Sequence, residues 1–242
     1  MAYREFRARP ELADLVACTW QRDVPPTEAT RVLPDACVDL VWRAGELFIA
    51  GPDRTVFMSP VGPGAAIVGL RLRTGTAGAV LGLPARELQD LRVPLDAVWG
   101  KPGAVLADRV TAAGHPAARR QLLETAILQR RDDMPDLDAV VLAATRRLGR
   151  PGTRVSSLSR VFATSERQLL RRFDAAVGYG PKTLDRILRF QRLIARAPEQ
   201  GLAQVATELG YADQAHLNRE CVKLSGLTPT QLMPPGDVEH VA

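Results

Sequence analysis

The spacing of hydrophobic positions changes near Thr74, and the change divides the chain into two kinds of structure. Before it, apolar residues come in short β-rich runs closed by turn residues. Val38-Asp39-Leu40-Val41-Trp42 ends at Ala44-Gly45, Leu47-Phe48-Ile49 at Gly51-Pro52, and Thr55-Val56-Phe57-Met58 at Pro60 and Gly62-Pro63-Gly64. In residues 67–73, Leu70 and Leu72 share one face and Arg71 and Arg73 the other, the period of a half-buried strand. Several such strands predict a small antiparallel sheet or barrel.

From Thr76 the spacing is helical. Residues 78–83 lead to Pro84, which suits the first turn of a short helix through Glu87 and Leu91. Residues 104–113 and 116–130 are predicted helices. In the second, Leu122, Leu123, Ala126 and Ile127 form an apolar stripe against Arg119, Arg120, Glu124 and Arg130. The charged run 129–135, closed by Pro135, reads as a solvated linker between domains.

Beyond it, residues 136–148 open with Asp136 as N-cap, place Leu137, Val140, Val141, Ala144 and Leu148 on one side, and stop at Gly149. Residues 155–162 form a second short helix. A long helix over 182–197 would turn Leu184, Ile187, Leu188, Gln191 and Ile194 inward and Arg186, Arg189, Arg192 and Arg196 outward. It would span about 24 Å at 1.5 Å per residue.

One helical unit is written twice. Leu169, Arg171, Phe173, Gly178 and Pro181 recur, each 48 positions on, as Leu217, Arg219, Cys221, Gly226 and Pro229. Ser165 caps the first copy, with Gln168 at the capping-box position; Leu169, Phe173 and Ala176 face in, and Arg167, Leu170, Arg171 and Asp174 face out. The second copy, 213–224, follows a short helix over 202–209 and a Gly210-Tyr211-Ala212 turn. It buries Leu217, Cys221 and Leu224 and offers Gln214, Ala215, Asn218 and Arg219. Thr228-Pro229 starts a last turn through Leu232.

Composition narrows the function. A hydrophobic fraction of 46% in 242 residues suffices for two cores, and a net charge of +5 allows a nucleic-acid partner without requiring one. Three dispersed cysteines, Cys18, Cys37 and Cys221, argue against a disulfide framework and for a reducing compartment. The N-terminus lacks an apolar signal core, and no apolar run approaches the ~18 residues of a membrane span, so a cytoplasmic protein without membrane contact is expected. His115, His216 and His240 lack ligand spacing, and no nucleophile and base or Gly-rich phosphate loop appears, so no metal, cofactor or enzymatic activity is expected. Cys37, placed in a strand between Asp35 and Asp39, reads as structural, because neighbouring carboxylates disfavour a thiolate.

Ala206, then Glu208-Leu209-Gly210-Tyr211, then Asp213-Gln214-Ala215-His216-Leu217-Asn218-Arg219, then Gly226-Leu227-Thr228-Pro229 form a known pattern. It resembles the C-terminal DNA-binding domain of the AraC/XylS family of bacterial transcription regulators. The resemblance implies seven helices and two recognition helices, 165–177 and 213–224, entering successive major grooves of double-stranded DNA. At the family's reading positions stand Arg167, Leu170 and Arg171, then Gln214, Ala215, Asn218 and Arg219. Arg pairs with guanine and Gln or Asn with adenine, whereas Leu170 and Ala215 could only touch a thymine methyl. Ser165, Arg172, Lys182, Arg186, Arg189 and Lys223 are the phosphate candidates. The chain departs from the pattern at Ser159, at Ala163 in place of the turn Gly, and at Leu170, Asn218 and Cys221.

The first half is similar to the small N-terminal domain of some actinobacterial members, on Leu33-Pro34-Asp35-Ala36-Cys37-Val38-Asp39-Leu40-Val41-Trp42, Ala50-Gly51-Pro52 and Val93-Pro94-Leu95-Asp96-Ala97-Val98-Trp99-Gly100. The expected organisation is an α+β sensing or dimerisation domain over 1–131, the linker 129–135, an all-α double helix-turn-helix domain over 136–233, and a tail over 234–242. Trp20, Trp42, Phe48, Phe57 and Trp99 are the candidate walls of a pocket for a small-molecule effector, and helix 116–130 is a candidate homodimer surface. The competing reading is a small-molecule binding or protein-interaction module without specific DNA recognition.

Overall fold

The computed structural model describes residues 3–23, 30–59, 66–196 and 202–232. Strands β1 (Tyr3–Phe6), β2 (Val16–Asp23), β3 (Thr30–Val32), β4 (Val38–Arg43), β5 (Glu46–Ala50), β6 (Phe57–Ser59), β7 (Ala66–Leu72) and β8 (Arg92–Pro94) build the N-terminal domain. Six of them form an antiparallel sheet in the order β1-β2-β7-β4-β5-β8, and β3 pairs with β6 in a separate ribbon. The N-terminal expectation of a small antiparallel sheet with helices holds. Strands β1, β2, β3 and β8 went unanticipated, and β6 begins at Phe57 rather than Thr55.

The sheet has two faces of different character. Along β4, Val38, Leu40 and Trp42 point to a core shared with the helices, whereas Asp39, Val41 and Arg43 point the other way. On the helical side lie α1 (Ala77–Leu81), α2 (Leu95–Trp99), α3 (Lys101–Ala112) and α4 (Pro116–Arg130). The short helix expected to start at Pro84 and run through Leu91 is only a 3-10 turn, Ala85–Leu88, and the preceding residues form α1, closed by Gly82 at φ 79°. In α4, Leu123 and Ile127 are buried as anticipated, but so is Glu124. Its carboxylate accepts the Arg9 backbone N–H at 2.8 Å, which satisfies a charge that the amphipathic pattern had turned to solvent.

The run read as a solvated linker is tied down at Arg131, whose guanidinium grips Asp14 at 2.8 and 2.9 Å and the Glu11 carbonyl at 2.7 Å. The next helix, α5 (Ala139–Leu148), is capped by Asp138, not Asp136. Asp138 Oδ1 accepts the Val140 and Val141 N–H groups at 3.0 Å, leaving Leu137 outside the helix to pack on the N-terminal core.

The C-terminal domain continues with α6 (Leu158–Val161), α7 (Glu166–Ala176), α8 (Pro181–Arg196), α9 (Leu202–Glu208), α10 (Gln214–Ser225) and α11 (Pro229–Leu232). A 3-10 turn, Val155–Ser157, replaces the first half of the helix expected over 155–162. Helix α8 is the axis of the core, and its buried stripe is Leu184, Ile187, Phe190 and Leu193. Sequence spacing had named Leu188, Gln191 and Ile194 in place of Phe190 and Leu193. Leu188 and Ile194 are half-buried flanks, and Gln191 turns to the N-terminal domain, where it donates to the Pro34 carbonyl at 2.6 Å. The expected end of this helix at Ala197, His240 and the tail 234–242 lie outside the described residues. Among the described residues no helix is long and apolar enough to cross a membrane.

Candidate nucleic-acid interface and adjoining cavity

Helices α7 and α10 start on matched caps. Ser165 Oγ accepts the Gln168 N–H and Gln168 Oε1 accepts the Ser165 N–H, both at 3.2 Å, a closed capping box. Asp213 Oδ1 accepts the His216 N–H at 2.6 Å. Such a cap stabilises a helix start by about 1 kcal/mol, so these entry points are fixed. Both helices stop on a left-handed glycine, Gly178 at φ 99° and Gly226 at φ 73°. Leu169 and Phe173 in one, and Leu217, Cys221 and Leu224 in the other, anchor the inner faces.

The outer faces carry most of the residues proposed to read bases. Arg167, Leu170 and Arg171 are exposed on α7, and Gln214, Ala215 and Arg219 on α10. Asn218 is half-buried, and its Oδ1 has no partner. The turns before the helices differ. Ala163 takes the left-handed conformation at φ 46° in the first, whereas Gly210 takes it at φ 75° in a turn one residue longer in the second.

The phosphate candidates divide into two groups. Ser165, Lys182 and Lys223 are exposed. Three arginines are instead struts: Arg172 Nε donates to Asp138 Oδ2 at 2.6 Å, Arg186 Nε to Glu220 Oε2 at 2.6 Å, and Arg189 pairs with Asp185 while donating to the Gly210 carbonyl at 3.2 Å. Arg192, expected outward, donates to the Leu148 carbonyl at 3.0 Å. Periodicity marks an arginine as outward but does not reveal the carboxylate beside it.

On the face of the sheet away from the helices lies a cavity of ≈ 170 Å³. Trp20, Phe48 and Phe57 line it, with Val41 and Ile67. Trp42 and Trp99, named with them from the sequence, do not. Trp42 is in register with Leu40, so it faces the helices and donates to Thr111 Oγ1 at 3.0 Å; Trp99 donates to the Leu81 carbonyl at 3.3 Å. Gly69 pairs with Trp20 across the strands and makes room for its indole.

The polar part of the lining went unanticipated. Asp39 accepts from Trp20 Nε1 at 3.2 Å and from Arg71 Nε at 3.2 Å, and Arg71 also reaches Asp35 at 3.0 Å. Burial pushes the Asp39 carboxyl up to about 6, with Arg71 opposing and Asp35 adding. Arg92 clamps Asp53 at 2.6 and 2.9 Å and lies over the Phe57 ring, and Arg31 donates to the Ser225 carbonyl of α10 at 2.7 Å. The cavity thus borders the C-terminal domain through Arg31 and Gln191. Cys37 stands in the loop before β4, not within it, and burial followed by Asp35 holds its thiol well above the ordinary range.

Tandem capped helices joined by a long helix, behind a sheet domain, define a two-domain protein of the helix-turn-helix class. Residues 158–233 match the family model described as a helix-turn-helix domain, and residues 4–94 match a domain of unknown function (DUF6597). The helix-turn-helix class of the C-terminal part is the one its motifs had implied. Among solved structures the chain is similar to ToxT from Vibrio cholerae O395, at 9% identity and a TM-score of 0.44 over 91% of this chain and 99% of that one. It is similar too to unsaturated fatty acid bound wild-type ToxT from Vibrio cholerae strain SCE256, at 14% identity and a TM-score of 0.46 over 92% and 98%. No curated protein sequence matches the chain.

Proposed function

We propose that the protein is a sequence-specific transcription regulator in which α7 and α10 read two half-sites of one operator. The sensing domain over 1–131 would modulate the DNA-binding domain over 136–233 through a small molecule held against Trp20, Phe48 and Phe57. The observation that carries the first part is the pair of capped helices, 48 residues apart, with Arg167 and Arg171 on one exposed face and Gln214 and Arg219 on the other. Arginine and glutamine present the paired donors and acceptors that recognise base edges in the major groove. The two faces differ in composition, so one chain would recognise an asymmetric site.

Enrichment from random DNA tests this reading. An operator should emerge whose affinity falls at least about tenfold on Arg171→Ala or Arg219→Ala, each with relaxed choice at one position. Failure to enrich any sequence would remove the reading and leave a ligand-binding or protein-interaction module.

A further inference from the structure

The exits of the two recognition helices are equivalent in the repeat, and one short segment of the N-terminal domain touches both. At the first exit, Gly178 packs so closely on Pro52 that an added Cβ would lie 2.5 Å from Pro52 Cγ. At the second, the Val56 N–H donates to the Leu224 carbonyl at 2.8 Å, and the Val56 side chain would stand 3.8 Å from a Cβ on Gly226. Four steps of extended chain from Pro52 to Val56 span at most about 14 Å.

The segment is anchored along its length. Asp53 is clamped by Arg92, and Arg54 holds Asp90 through both its backbone N–H and its guanidinium at 2.7 Å. With its carboxamide nitrogen turned to the Gly178 carbonyl at 3.0 Å, Gln89 would accept from the same guanidinium. A second contact backs each exit: Ala175 of α7 abuts Gly78, and Arg31 holds the Ser225 carbonyl.

We infer that residues 52–56 are a brace that sets the separation of the two recognition helices, and thereby the half-site spacing the protein accepts. This rests on the DNA-binding reading for its consequence, not for its geometry. Arg92, which clamps Asp53 of the brace, also lines the cavity, so the brace joins Arg31 as a connection between the cavity and the helix exits.

The test uses the full chain, Arg54→Ala, and a variant with two glycines inserted between Arg54 and Thr55. Arg54 is exposed and the insertion removes no side chain, so both should fold. On operators whose half-sites are shifted by one base pair, the wild-type preference for its best spacing, at least about tenfold, should fall below about threefold in both variants. Preference within each half-site should not change. Amide exchange without DNA should quicken at both exits, 175–178 and 223–227, and stay as it was at the helix starts. Unchanged exchange, or a change at one exit only, would overturn the brace even if the protein bound no DNA. Retained spacing preference alongside quickened exchange would overturn its role in recognition.

Discussion

Asp138 and Arg172 meet at 2.6 Å across 34 residues of chain, and Arg186 and Glu220 meet at the same distance across the same interval with the signs exchanged. Each member of the first pair lies 48 positions before its counterpart, so the repeat includes an ion pair whose polarity reversed between copies. The pairs are partly buried, and a like-charge replacement should cost about 1–2 kcal/mol. Glu220→Arg should therefore lower the thermal midpoint, and Arg186→Glu in the same chain should restore most of it. The corresponding swap at Asp138 and Arg172 should restore less, because Asp138 Oδ1 also caps α5. A double variant no more stable than Glu220→Arg alone would show that the pairing contributes nothing.

The same geometry separates exposed cations, proposed to meet phosphate, from structural ones. Lys182→Ala should leave the thermal midpoint within about 0.5 kcal/mol of wild type and reduce the slope of log affinity against log salt by about one. Arg186→Ala should do the reverse, lowering stability because Glu220 loses its partner. Equal salt slopes for Lys182→Ala and wild type would remove Lys182 from the interface.

Ala163 occupies a left-handed backbone conformation that its repeat neighbourhood assigns to Gly210. The strain of about 1–2 kcal/mol exceeds the extra chain entropy a glycine costs, about 0.4–1 kcal/mol. Ala163→Gly should thus raise stability by about 0.5–1 kcal/mol, and Gly210→Ala should lower it, both read from denaturant midpoints. A destabilised Ala163→Gly would mean that the Ala163 methyl makes a contact worth more than the strain.

What could be read from the sequence follows the range of the signal. Caps, left-handed exits and the inner faces of α7 and α10 depend on neighbours within one or two turns, so Ser165, Gln168, Gly178 and Gly226 were identifiable directly. The division of aromatics between cavity and core depends on cross-strand register, which is why Trp42 was misassigned while Phe48 and Phe57 were not. Strand β2 escaped because a register shift between Val16 and Cys18 interrupts its alternation. The charge-reversed pairs were legible in principle, since Arg172 and Glu220 stand at repeat-equivalent positions with opposite charge.

Asp39 gives the cavity a defined pH dependence. Its folded carboxyl is raised to about 6 from the ordinary 3.8, so between those values the folded state binds more protons than the unfolded one. Its contribution to stability is therefore largest in acid and is lost as pH rises through about 6, by at most about 3 kcal/mol. Asp39→Asn removes the titration. The stability of wild type relative to this variant should fall between pH 4 and pH 7, and a constant difference would place the Asp39 carboxyl in its ordinary range.

Gly69 and Trp20 provide a test of the cavity wall itself. They are cross-strand partners on β7 and β2, and a Cβ on Gly69 would lie 2.2 Å from the indole ring. In Gly69→Ala the ring must swing toward the cavity, stretching its hydrogen bond to Asp39 and occupying space proposed for the effector. Overpacking of this kind typically costs about 1–3 kcal/mol. In a Trp20→Ala background the indole is gone, so the added methyl should cost less than about 0.5 kcal/mol. The two substitutions should therefore be strongly non-additive in urea unfolding. An undiminished cost of Gly69→Ala in that background would mean that the strain arises from the β7 backbone, and that Trp20 is not held by the position opposite it.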